Sequence, residues 1–211
     1  MNNKKKFVKF ANLSQGFYEG SLNKYGDTPA GVNWSTPETQ QLRFEILLNV
    51  GNLEGKKVHD VGCGLAHMHD YIEKKKIACD YVGSDISDVM ITTAKKRLGK
   101  SVELNVANIC AKKETWMSAD FVLNSGIFTV KGDASETEWW QYIQHISKHM
   151  FEICKQGIAF NLMSSHVDYK DNHLFYIDPA KVLSYFVENL SRRVVIRHDY
   201  PLWEFTVYVY K

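Results

Sequence analysis

Residues 58–70 read VHDVGCGLAHMHD, an apolar run that stops at Gly62-x-Gly64 and passes at once into a segment with helical spacing. Gly62, Gly64 and Ala66 keep bulk away from the backbone of a strand-to-helix turn. In a parallel sheet such a turn lies at the carboxyl edge, where its N–H groups and the helix N-terminus face a ligand. The stretch therefore predicts an α/β fold with its binding site at the tip of the first strand. The dinucleotide fingerprint GxGxxG would need a third glycine at position 67, and His67 stands there. The spacing Gly-x-Gly-x-small fits instead.

Outward from this turn, strand and helix patterns alternate from about residue 35, the rhythm of βαβ units. Ser35 or Thr36 can cap a helix that carries Pro37 and Glu38 in its first turn and an apolar face at Leu42, Ile46, Leu47 and Val50. The first strand is read at 56–62, the second at 80–86, the third at 102–107, the fourth at 120–125 and the fifth at 157–163. Ser87 caps the helix after the second strand, and Gly99 ends it. Trp139, Ile143, Ile146, Met150 and Ile153 recur at helical steps within 136–155, a core-packing stripe. Asp178 and Pro179 open a last helix through Leu190. The runs 193–200 and 204–211 are separated only by Pro201, Leu202 and Trp203, too short for a crossover helix, so they pair antiparallel. The expectation is a seven-stranded, mostly parallel, doubly wound α/β sheet with an antiparallel C-terminal strand and helices on both faces.

At 211 residues the chain suits one domain, residues 35–211, preceded by a cap or lid segment, residues 1–34. A net charge of +2, with its one dense basic run at Lys4–Lys6 read as a solvated tail, does not call for a nucleic-acid partner. Cys63, Cys79, Cys110 and Cys154 lack the spacing of a zinc site or a disulfide framework, which predicts reduced thiols. The sequence MNNKKKFVKFANLSQ has no apolar core of a signal peptide, and no run of about 18 apolar residues occurs. A cytoplasmic protein without a membrane partner, monomeric or homodimeric, is expected.

VHDVGCGLA, together with Asp85 21 residues beyond Gly64, resembles the class I S-adenosylmethionine-dependent methyltransferases, whose pattern covers roughly residues 35–165. The resemblance implies S-adenosylmethionine as cofactor and S-adenosylhomocysteine as product. It places the methionine part over Gly62, Cys63 and Gly64, and the two ribose hydroxyls on Asp85 with Ile86 beside it. Asn108 would accept from the adenine amino group, Ile109 would cover the ring, and Asn124 would line the methionine part. Asp60 would meet the cofactor's ammonium, with Gln40 and Arg43 also at that end, Arg43 as a bidentate clamp on the carboxylate. A buried zwitterion needs such counter-charges, because an unpaired buried charge costs several kcal/mol.

The strand-four tip, LNSGIF, lacks the Pro-Pro-aromatic run of enzymes that methylate base amines and the extra aspartate of magnesium-dependent ones. No Cys/His cluster suggests a metal. The reading is transfer of a methyl group to a small-molecule acceptor, an oxygen of a metabolite, saccharide or natural-product intermediate. Tyr18, Tyr25 and Trp34 are the candidate acceptor-binding residues, and 17–34 and the loop 164–176 the candidate lids. His166 near Asp168, or His198 beside Asp199, is the candidate general base. The alternatives are a nicotinamide-dependent oxidoreductase or epimerase, a nucleic-acid methyltransferase and a module that binds the cofactor without turnover.

Overall fold

The computed structural model describes residues 3–99, 101–110 and 117–211, with side chains described from residue 5 onward. The strands are β1 (Lys57–Val61), β2 (Asp80–Asp85), β3 (Glu103–Val106), β4 (Ala119–Asn124), β5 (Cys154–Ser164), β6 (Tyr176–Ile177), β7 (Val194–Arg197) and β8 (Glu204–Tyr210). The helices are α1 (Asn3–Tyr25), α2 (Pro37–Leu48), α3 (His67–Lys75), α4 (Asp88–Leu98), α5 (Glu136–Ile153) and α6 (Pro179–Asn189). The sheet runs β3-β2-β1-β4-β5-β8-β7, with the two-residue β6 added beside β5. β8 is antiparallel to both of its neighbours, β5 and β7, while the other pairs are parallel. The order leaves the tips of β1, β2 and β4 side by side at one edge.

Local chemistry starts the helices where the sequence predicts. Thr36 accepts from Thr39 N with Pro37 following, and Ser87 accepts from Met90 N at 3.1 Å. Ser135 and Glu138 close a capping box on α5, and Asp178 accepts from Ala180 N ahead of α6. α3 begins differently. Ala66, its N-cap, sits in the left-handed region at φ 56° and makes no side-chain cap.

Two apolar layers sandwich the sheet. One face packs Trp139, Ile143, Ile146 and Met150 of α5 and Phe186 of α6 against Phe160, Phe205 and Val207. The other packs Phe44 and Leu47 of α2, Met68 and Ile72 of α3 and Ile91 of α4 against Val58, Phe121 and Tyr208. Along β8, Phe205 and Val207 serve the first layer and Tyr208 the second, the period-two alternation of a sheet covered on both faces.

α1 departs from the expectation. A helix of 23 residues occupies most of the segment read only as a cap. Phe7, Phe10, Ala11, Tyr18 and Leu22 do fall at helical steps. Gly16, Gly20 and a weak apolar contrast disguise them, since each glycine costs about 1 kcal/mol in a helix. The packing supplies what propensity lacks: the rings of Phe7 and Phe10 lie 5.9 and 5.6 Å from Tyr142 and Trp139, and Leu22 packs with Leu65 and Met90. The basic run is therefore part of a helix rather than a free tail. Lys6 pairs with Glu138, whereas the side chain of Lys4 lies outside the described residues.

Candidate active site

A cleft of about 1000 Å³, part of it open to solvent, lies over the tips of β1, β2 and β4, under the C-terminal half of α1. Its floor is the turn quoted at the outset. Gly62 and Gly64 take φ values of +75° and +53°, and a Cβ on Gly62 would lie 2.2 Å from the Ile127 side chain. Only glycine meets both the conformation and the space at Gly62.

At the β2 tip, the carboxylate of Asp85 accepts from Gly64 N and from Ser87 N, each at 2.8 Å. This ties the glycine turn to the start of α4. Burial raises the Asp85 pKa and nearby Glu19 adds to that, while the backbone donors of Ser87, Gly64 and Ile86 pull it down. One face of the carboxylate is thus set by the backbone, and its remaining lone pairs can still accept hydroxyl donors. Glu19 of α1 accepts from Ser87 Oγ at 2.6 Å, which binds the cap to the same tip.

Asp60, near the end of β1, is 2% exposed and lines the cleft. Its Oδ2 accepts from Tyr81 OH at 2.9 Å, and its Oδ1 has no partner among the described residues. Burial pushes its pKa up to about 7, against the pull of the Tyr81 hydroxyl. Two further buried oxygens lining the cleft, Ser14 Oγ and Ser125 Oγ, likewise have no partner among the described residues. Buried polar atoms left unsatisfied are costly, so three of them around one cavity fit a polar, partly cationic ligand.

Asp60, Gly62, Cys63, Gly64, Asp85 and Ile86 all line the cleft, as do Asn108 and Ile109 beyond β3. Asn108 Oδ1 accepts from Cys110 N at 2.8 Å, an Asx turn that leaves one lone pair for a ligand donor. Two other residues expected at the cofactor lie elsewhere. Arg43 does not line the cleft: its Nε lies 2.8 Å from Glu204 Oε1, and its guanidinium covers the Trp34 ring at 4.1 Å. The buried Glu204 carboxylate claims this charge in place of a ligand carboxylate. Asn124 is fully buried beneath the turn, where its Nδ2 donates to Val61 O at 2.9 Å, and it belongs to the support of the site rather than its lining.

Tyr18 and Trp34 are in the lining, and both converge on Gly126. The Tyr18 hydroxyl donates to Gly126 O at 3.1 Å, and a Cβ on Gly126 would meet the Trp34 ring at 2.8 Å. Asn161 holds the same glycine through Gly126 N at 3.0 Å and donates to Glu204 at 3.2 Å. Tyr25 instead projects from the end of α1 and is 47% exposed, under Lys24.

The histidines expected to act as a base are exposed and outside the lining. His198 packs on Phe205 near the C-terminal end of β7. The 164–176 loop is stitched to the segment after β4, by Lys131 N to His173 O and Phe175 N to Thr129 O, both at 2.9 Å. It does not roof the cleft. Among the described residues no cluster of His, Cys, Asp or Glu could hold a metal ion, the four cysteines are unbridged, and no helix is long and apolar enough to cross a membrane.

The β3-β2-β1-β4-β5-β8-β7 order with a glycine turn at β1 and an acid at β2 defines a Rossmann-like α/β protein that holds a nucleoside-bearing ligand. Residues 58–157 match the family described as a methyltransferase domain. The chain is 32% identical over 157 residues to Rv1506c of Mycobacterium tuberculosis, which carries an inferred methyltransferase assignment, covering 73% of this chain and 92% of that one. In structure it is similar to magnesium protoporphyrin IX methyltransferase of Synechocystis PCC 6803, crystallised with S-adenosylmethionine: TM-score 0.61, 14% identity, 100% of this chain and 98% of that one. It is also similar to the plantazolicin methyltransferase BpumL, in complex with S-adenosylhomocysteine: TM-score 0.60, 13% identity, 100% and 99% covered. The chain belongs to the class I S-adenosylmethionine-dependent methyltransferases, and S-adenosylmethionine is its cofactor. The nicotinamide alternative gives way to this family.

Several residues of the lining escaped sequence reasoning, Ser14 of α1 among them. Ser125 carries no motif of its own, and His67 entered only as the glycine that a dinucleotide site would need.

Proposed function

We propose that the chain methylates an oxygen of a small molecule, a metabolite, saccharide or natural-product intermediate, beneath a cap formed by residues 1–34. The observation that carries this reading is the lining of the cleft at the β4 tip. Tyr18, Trp34 and Ser125 surround a space roofed by α1, and no Lys or Arg lines it among the described residues. A nucleic-acid acceptor calls for a basic surface along its phosphates. An aromatic enclosure with few polar groups suits a small organic acceptor.

In this reading Asp85 receives the ribose hydroxyls and Asp60 faces the ammonium. Asn108 takes the adenine amino group, and Ile86 and Ile109 flank the base. S-adenosylmethionine supplies an electrophilic methyl group: the acceptor oxygen forms the new C–O bond as the C–S bond breaks, and sulfur keeps that bonding pair. The chain's own part is alignment and exclusion of water, which is worth up to about 7–11 kcal/mol for well-oriented reactants. Gly126 is central to it, because the cap hydroxyl of Tyr18, the ring of Trp34 and the amide of Asn161 all meet there. His166 and His198 do not line the cleft, so in this reading the acceptor's proton passes to water or leaves before binding, as from a carboxylate.

The test is methyl transfer from radiolabelled S-adenosylmethionine into fractionated cell metabolites. Label in a small-molecule fraction, lost in Asp85→Ala, supports the proposal; label only in nucleic acid or protein overturns it.

A further inference from the structure

His67 is the residue that a dinucleotide site would replace with glycine, and the structure gives its side chain two partners from two other segments. Nε2 lies 2.8 Å from Asp27 Oδ1, on the connection between α1 and Pro29. Nδ1 lies 3.1 Å from Nε2 of Gln40 on α2. A carboxylate only accepts, so Asp27 places the ring proton on Nε2. Nδ1 is then an acceptor, and the Gln40 amide must turn its nitrogen toward it. This leaves the amide oxygen and a second N–H of Gln40 for other partners.

Gln40 is 5% exposed, and both it and His67 line the cleft. They stand on the α2 and α3 side of β1, the side on which Asp60 presents its unpartnered oxygen. The same two side chains also line a smaller recess on the outside, together with Asp27 and Asp70. The His67–Gln40 hydrogen bond is therefore part of the partition between cleft and solvent. Asp27 is itself held, since Arg97 donates to it at 2.8 Å and to Asp70 and Leu65 O as well. The tautomer of His67 is fixed by an anchored carboxylate rather than by a mobile one.

We propose that His67 is a positioning residue which, through the Gln40 amide, orients the α-amino acid end of the cofactor. The inference rests on the methyltransferase reading of the cleft. Asp60 alone supplies one anion toward an ammonium. A zwitterion also presents a carboxylate, and with Arg43 committed to Glu204 the Gln40 amide is a neutral group that can serve both ends. His67 decides which way that amide faces.

Two ligands separate positioning from general support. S-adenosylhomocysteine carries the amino acid end, and 5′-methylthioadenosine lacks it while keeping the adenosine and sulfur. Calorimetric titration of wild type, His67→Ala, Gln40→Ala and the double variant with each ligand forms the experiment. His67→Ala is expected to weaken S-adenosylhomocysteine about tenfold, the loss of one charge-assisted hydrogen bond, and to leave 5′-methylthioadenosine within about twofold. The double variant is expected to bind no more weakly than Gln40→Ala, because His67 acts through that residue. Equal weakening of both ligands, unchanged binding of S-adenosylhomocysteine, or additive effects in the double variant would overturn the inference. A wild-type protein that binds neither ligand would overturn the reading of the cleft itself.

Discussion

Binding of S-adenosylhomocysteine should release a proton below neutral pH, because of Asp60. Its carboxyl is buried with a single hydroxyl donor and titrates near 7. The ligand's ammonium keeps its own proton up to about pH 8 and needs the ionised carboxylate as partner. With a pKa of about 7, roughly 9% of Asp60 is ionised near pH 6 and roughly 75% near pH 7.5. Affinity should therefore rise about eightfold across that interval, with about 0.9 proton released per ligand near pH 6. Calorimetry in buffers of different ionisation heat reads both quantities. Asp60→Asn should bind more weakly at neutral pH and lose the slope, since an amide oxygen does not titrate. Affinity in wild type that is flat with pH and without proton release would refute the assignment of Asp60 to the ammonium. The same group marks stability without ligand. The folded carboxyl keeps its proton up to about pH 7 while the unfolded one releases it near 4, so raising pH through that window costs stability, and ligand reverses the trend.

Three further outcomes follow from buried groups. His59 is pushed down to about 4 by burial, so folding sheds a proton that the unfolded chain binds near 6.5. In an Asp60→Asn background, His59 should remove about 1.5 kcal/mol of stability as pH drops from about 6.5 to about 5, read by urea unfolding as the difference from the same protein with His59→Gln added. Glu204→Gln leaves the Arg43 guanidinium, with its side chain only 12% exposed, without its counter-charge. Denaturant unfolding should show a loss of about 3–5 kcal/mol, partly recovered when Arg43→Gln is added. Gly126→Ala places a methyl group 2.8 Å from the Trp34 ring at a φ of +92°, and should cost about 1–3 kcal/mol in urea unfolding with altered Trp emission.

Most of the architecture was legible because it is written at short range. Caps at Thr36, Ser87 and Asp178, the α5 stripe and the brief link from 200 to 204 each depend on neighbours within a few residues. The glycine turn and the acid at 85 were legible because a βαβ unit sets two successive parallel strands side by side, so their tips adjoin. α1 was not, because its glycines mask a helix that packing against Tyr142 and Trp139 stabilises.

Contacts between distant segments belong to the tertiary structure alone. From the sequence, Arg43 offered a charge to a ligand carboxylate; only the fold brings Glu204 from 161 residues downstream to take it. His166 and His198 had acidic neighbours in sequence, yet side-chain chemistry says nothing of distance from a cleft built by other strands. His67 looked like a missing glycine until Asp27 and Gln40 closed on its two nitrogens. Backbone conformation and burial periodicity are local and so are encoded locally, whereas pairing a charge depends on which surfaces meet, and that is settled only when the sheet has assembled.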